Sequence, residues 1–252
     1  MRGLRSMMGV VAVCALAGQA LAQDSQSPID IRNENVTFTS LPGLDFHYGS
    51  ATSLDVVNTG SPSEEATIRA NITGPASHLT LSGTDYDLLQ FHFHTPSEHW
   101  LNGHEFDMEM HMVHRDANGN LLVVGRWIEE GAANAALAPL FADLPQNSGD
   151  HKAFDNFDLN TMLSADLHSV RYSGSLTTPP FSEPVQWIML TTPLEMSHEQ
   201  IEAFRALFPD GNSRLPQPLN DRPVYSDDPA IPAPGAVGMA AVAGLFAARR
   251  RR

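Results

Sequence analysis

The chain has 252 residues and a net charge of −14, enough length for one well-buried domain of ordinary size. Six of its fifteen basic residues, Arg2, Arg5 and the arginines at 249–252, stand in the terminal stretches 1–22 and 231–252, which carry no acid, so nine basic residues face 29 acidic ones in between. Such a surface repels phosphate backbones and excludes a nucleic-acid partner.

In chain order, Arg2 and Arg5 precede an apolar run at 7–18 and the small-residue pattern Ala20-Leu21-Ala22, which reads as a secretory signal over 1–22. The run is shorter than the roughly 20 apolar residues that span a bilayer. Cys14, the one cysteine, leaves with this leader, so the exported body forms no disulfide. The body, 23–226, alternates short β-branched or period-two segments with Gly, Pro, Asn and Asp: "ATIRANI" (66–72), "HLTLSG" (78–83), "LLVVGRWI" (121–128) and "VQWIMLTTP" (185–193) read as strands. Helical patterning is confined to "NAALAPLFADL" (134–144) and "SHEQIEAFRALF" (197–208), the latter opening on Ser197 as N-cap with Gln200 three positions on. The expectation is a single, mainly β domain. The tail, 227–252, holds a Pro-rich break, an apolar run at 236–248 and four arginines. It is similar to the PEP-type C-terminal sorting signals of bacteria, with Pro232-Ala233-Pro234 in place of "PEP", which implies a transient membrane tether in the cell envelope or periplasm. A permanent anchor is the alternative, although thirteen helical residues reach only about 20 Å.

Six of the eleven histidines fall within residues 90–114. On a strand, His92 and His94 of "QFHFH" share a face while Phe91 and Phe93 take the other. In "FDMEMHMVH", Met108, Met110 and Met112 share one face, and Glu109, His111 and Val113 the opposite one. If the two strands pair, His111 joins His92 and His94 as a third ligand, and Glu109 is placed to orient a histidine from behind. Three histidines with one open position are the ligand set of a catalytic rather than a structural zinc site. His99 and His104 fall in the connection between the strands, and His114 faces away from His111. "HFHTPSE" is also H-x-H-x3-E, as in cupins, which would make Glu98 a ligand; His111 lacks the Gly- and Pro-marked context of a second cupin motif.

Taken with "SQSPIDI", "LLVVG", "YSGSLTTPP", "VQW" and "QPLN" in that order, the chain resembles the α-class carbonic anhydrases over essentially the whole body. The resemblance implies a large twisted, mostly antiparallel central sheet with a few short helices. It also implies zinc-dependent, reversible hydration of carbon dioxide to bicarbonate and a proton, by attack of zinc-bound hydroxide. His92, His94 and His111 would be the zinc ligands, with Gln90, Glu109 and the backbone carbonyl of Asn212 behind them. Thr177 would accept the hydroxide's hydrogen bond and pass its own to Glu98, which makes Glu98 an orienter rather than a ligand. Thr178 would help hold bicarbonate or water, and Val113, Val123, Leu176, Val185 and Trp187 would form the carbon dioxide pocket. A non-catalytic envelope or binding module of the same fold is the competing class; its mark, loss of a ligand or of the Thr–Glu pair, is absent from the sequence.

Three positions depart from the family. Ser61, in "NTGSPSEE", stands where an N-N-G-H turn supplies a proton-carrying histidine, leaving Glu64 or Glu65 as the relay. Almost nothing precedes Ser25, where relatives carry an aromatic segment. Phe181 follows "TTPP" where exported relatives place a disulfide cysteine.

Overall fold

The computed structural model describes residues 24–60 and 66–231. The leader, the tail beyond Ile231, and the stretch with Ser61, Glu64 and Glu65 lie outside the described residues. In chain order these hold β1 (Asp30–Ile31), β2 (Val36–Phe38), β3 (Leu44–His47), β4 (Thr52–Asn58), β5 (Ile68–Ile72), β6 (His78–Leu81), β7 (Thr84–His94), β8 (Trp100–Leu101), β9 (Met108–Asp116), β10 (Leu121–Glu130), α1 (Ala138–Phe141), β11 (His151–Phe157), β12 (Ser169–Gly174), β13 (Val185–Met196), α2 (His198–Arg205) and β14 (Val224–Ser226). No helix among them is long and apolar enough to cross a membrane.

The mainly β expectation is met. One twisted sheet runs β11-β4-β5-β7-β9-β10-β13-β12-β14-β2, with β6 and then β3 added alongside β7. Its pairings are antiparallel except β10 with β13 and β14 with β2, so the sheet is mixed. The central strands β7, β9, β10 and β13 are buried on both faces, and period-two alternation divides their side chains between two apolar clusters. Phe91, Phe93, Met108, Met110, Met112, Val124 and Ile188 enter the larger one, which α1 and α2 cover with Leu140, Phe141, Ile201 and Phe204. Val123, Trp127, Val185, Trp187 and Met189 enter the smaller one with Ile29 and Ile31. The candidate ligands alternate with the first set, and so face the second.

The two helical segments differ in outcome. Ser197 and Gln200 form the expected reciprocal capping box, and α2 follows. Residues 134–144 form only one turn of α-helix. Pro139 sits at its first turn, where its missing N–H is tolerated. Ahead of it, Asn134 Oδ1 takes the Leu137 N–H and holds the chain in a turn.

Where a disulfide was missed in the sequence, polar contacts tie the N-terminal segment to the loop after β12. Gln26 donates to Glu183 and to the Phe181 carbonyl, and Arg214 donates to Gln26 and Ser27 while stacking 3.9 Å over the Phe181 ring.

Candidate active site

The register of β7 against β9 places His92 directly opposite His111, and His94 opposite Glu109. The three imidazole centroids stand 4.7 to 5.2 Å apart, and one nitrogen from each ring lies within 4.8 Å of the others. Each ring's remaining nitrogen meets an oxygen that accepts its hydrogen bond. His92 Nδ1 donates to Gln90 Oε1 at 2.8 Å, His94 Nδ1 to the Asn212 carbonyl at 3.1 Å, and His111 Nε2 to Glu109 Oε1 at 2.5 Å. The tautomers follow: His92 and His94 present bare Nε2 atoms, and His111 presents Nδ1. His94 Nε2 is fully buried with no hydrogen-bond partner, a costly arrangement unless a cation accepts its lone pair. Burial, reinforced by the neighbouring rings and by Arg69, holds His92 well below the ordinary imidazole range. Burial also lowers His94. Neutral histidines with converging lone pairs fit a zinc ion in donor type, number and protonation.

Glu109 is the hub behind this centre. Besides His111 it accepts from His99, through Nδ1 to Oε1 and through the backbone N–H to Oε2, both at 2.7 Å. Burial pushes its carboxyl up, but His99 and His111 together outweigh burial and hold it well below the usual range. His99 Nε2 in turn takes the Tyr172 hydroxyl at 2.6 Å, and that hydroxyl meets Ser27 Oγ at 2.8 Å. Both ring nitrogens of His99 are thus engaged, by Glu109 and by Tyr172, and the ring is fully buried behind His111. His114 points to the far side, its Nε2 2.6 Å from the Tyr48 hydroxyl, and His104 lies exposed after β8.

Glu98 is buried and outside the three-histidine cluster. Its Oε1 accepts the Arg214 backbone N–H at 2.9 Å, and its Oε2 is buried without a partner. Thr177 is buried nearby in the cleft, but no hydrogen bond joins it to Glu98 among the described residues.

Two cavities meet at His92, Gln90 and Thr178. One, of about 260 Å³, is walled by Val113, Val123, Leu176 and Trp187 beside His92, His111 and Thr177. Leu121, two residues before Val123 and so on the same face, belongs to this wall; strand alternation could have identified it. Val185 does not line the cavity and is buried behind it with Val123 and Trp187. The other, of about 280 Å³, is polar and includes Thr67 and Arg69. Only the pairing of β5 with β7 puts Arg69 across from His92, so nothing local in the sequence announces it. Tyr172 escaped notice for the same reason.

The family profile of eukaryotic-type carbonic anhydrases matches residues 15–228. The chain is 40% identical over 201 residues to a carbonic anhydrase of Nostoc sp., covering 78% of this chain and 74% of that one. It is 41% identical over 203 residues to one of Klebsiella pneumoniae, covering 79% of each. Among solved structures, the α-carbonic anhydrase of Thermovibrio ammonificans in complex with sulfanilamide is similar with a TM-score of 0.75 and 38% identity, over 80% of this chain and 87% of that one. The α-carbonic anhydrase of Photobacterium profundum gives 0.72 and 35%, over 81% and 90%. With the sheet and the histidine centre described above, these likenesses lead to one conclusion: the chain belongs to the eukaryotic-type, α-class carbonic anhydrase family and is an enzyme of that family.

Proposed function

We propose that the chain catalyses the reversible hydration of carbon dioxide to bicarbonate and a proton, with zinc held by His92, His94 and His111. The observation that carries this reading is the buried, unpartnered Nε2 of His94, set beside two other imidazoles whose tautomers leave lone pairs facing the same centre. When bound, zinc supplies a Lewis acid that lowers the pKa of coordinated water from 15.7 to about 7. Gln90, Asn212 and Glu109 fix the three rings, so the ligand atoms need no reorganisation. In this reading Thr177 Oγ would take a hydrogen bond from the attacking hydroxyl and, by turning toward a carboxylate it does not bond in the structure, would donate its own to Glu98 Oε2, which is buried without a partner. That arrangement turns a lone pair of the nucleophile toward carbon dioxide. The apolar wall of Val113, Val123, Leu176 and Trp187 holds the substrate, with Val185 packed behind it, and Thr178 receives the bicarbonate oxygens. Glu64 or Glu65 relays the released proton in place of a histidine at Ser61. The enzyme is exported by the leader at 1–22, and the tail at 227–252 is a sorting signal that tethers it transiently at the membrane.

The test is stopped-flow hydration of carbon dioxide before and after chelation. The expected result is acetazolamide-sensitive activity that disappears with the zinc and returns on its addition. Full zinc occupancy without such activity would establish the non-catalytic alternative instead.

A further inference from the structure

The polar side of the cleft holds a cation that makes no ion pair among the described residues. Arg69 is half-buried on β5, opposite His92, and its Nε is fully buried without a hydrogen-bond partner. The other basic residues of the body are differently placed. Arg32, Lys152, Arg171 and Arg205 stand against carboxylates, while Arg126, Arg214 and Arg222 are held by carbonyl oxygens; Arg115 is exposed. In a chain with 29 acidic residues, carboxylate partners are plentiful, yet among the described residues none lines the cavity that Arg69 shares with Gln90, His92 and Thr178. Gln90 spends its Oε1 on His92, which leaves its amide N–H groups as further donors. Among the described residues the cavity thus pairs a planar guanidinium with neutral donors and holds no acid.

The geometry points to a small-oxoanion subsite built on Arg69, on the path between solvent and the histidine centre. Its natural occupant is bicarbonate, an identity that rests on the proposed reaction. A guanidinium fork matches the two coplanar oxygens of such an anion. Its local positive potential also offsets the acidic surface, which otherwise repels the anionic product of one direction and substrate of the other.

Sulfate and bicarbonate are titrated calorimetrically into zinc-loaded and chelator-treated protein, for the wild type and for Arg69→Gln and Arg69→Lys. Sulfate is expected to bind the wild type in both metal states. Arg69→Gln weakens both anions about tenfold or more, Arg69→Lys less, at unchanged zinc stoichiometry and unfolding temperature. Equal affinity in wild type and Arg69→Gln, or sulfate binding only when zinc is present, would overturn the subsite. Carbon dioxide hydration, assayed on the same wild-type preparation, keeps the two readings apart. An inactive wild type whose sulfate binding depends on Arg69 removes the proposed reaction and leaves the subsite, whereas an active one indifferent to Arg69 does the reverse.

Discussion

At the scale of single residues, the site is a set of protonation states imposed by neighbouring oxygens that accept from the rings. Glu109 collects three N–H donors, two from His99 and one from His111. In Glu109→Gln an amide NH2 replaces one acceptor and faces a donor, so His111 loses its fixed tautomer. Zinc affinity should fall about 10- to 100-fold, measured by chelator competition. Thr177→Ala should keep zinc while kcat/KM falls about 10²-fold, since only the orientation of the nucleophile is lost; an unchanged kcat/KM would remove Thr177 from the mechanism. A third expectation concerns His114, which burial lowers from 6.5 to about 4. Because the folded state favours the neutral ring, its contribution to stability is complete above pH 6.5. As pH falls from 6.5 through about 4 the unfolded chain takes up a proton that the folded chain refuses, and the contribution is lost. Urea unfolding at pH 7 and pH 4.5 should show wild type losing about 2–3 kcal/mol more than His114→Gln. The candidate ligand histidines and Glu109 were legible from strand parity, whereas the burial of His99 was not, because its partner Tyr172 is 73 residues away.

At the scale of elements, the sheet works through register. β9 lies between β7 and β10, so His111 has His92 on one side and Gly125 on the other. A Cβ at Gly125 would run into the Met189 side chain from β13 and come within 3.6 Å of Glu109 Oε1. Gly125→Ala should therefore destabilise the protein by about 1–3 kcal/mol, toward the low end because Met189 can repack. Denaturant unfolding reads the loss, and an unchanged midpoint would mean that β10 and β13 separate freely there. The parallel β10–β13 pairing could not be read locally, since parity says which face a residue takes but not which strand lies beside it. The cap of α2 was legible because it is made within four residues. The single turn of α1 was overread because apolar periodicity outweighed Pro139 and the Asn134 turn.

At the scale of the whole molecule, a proton released deep in the cleft must reach solvent on a surface with an excess of carboxylates. With serine at 61, turnover is expected to be limited by that transfer. The rate should rise with imidazole-type buffer concentration, and Ser61→His should reduce the dependence; buffer-independent fast turnover with no gain in Ser61→His would show another efficient route. The alternation of "QFHFH" and "MEMHMVH" by itself determined which side chains share a face, because strand side chains repeat every two residues whatever surrounds them; that the histidines of the two strands meet was decided by the β7–β9 register. The motifs between "SQSPIDI" and "QPLN" likewise carried the family and its sheet. Tertiary structure alone decided what stands opposite those faces: Arg69 across from His92, Val185 behind the pocket rather than on its wall, and Glu109 shared between His99 and His111. These are contacts between strands and loops distant in sequence, and their geometry is set by register and packing, which no local pattern encodes.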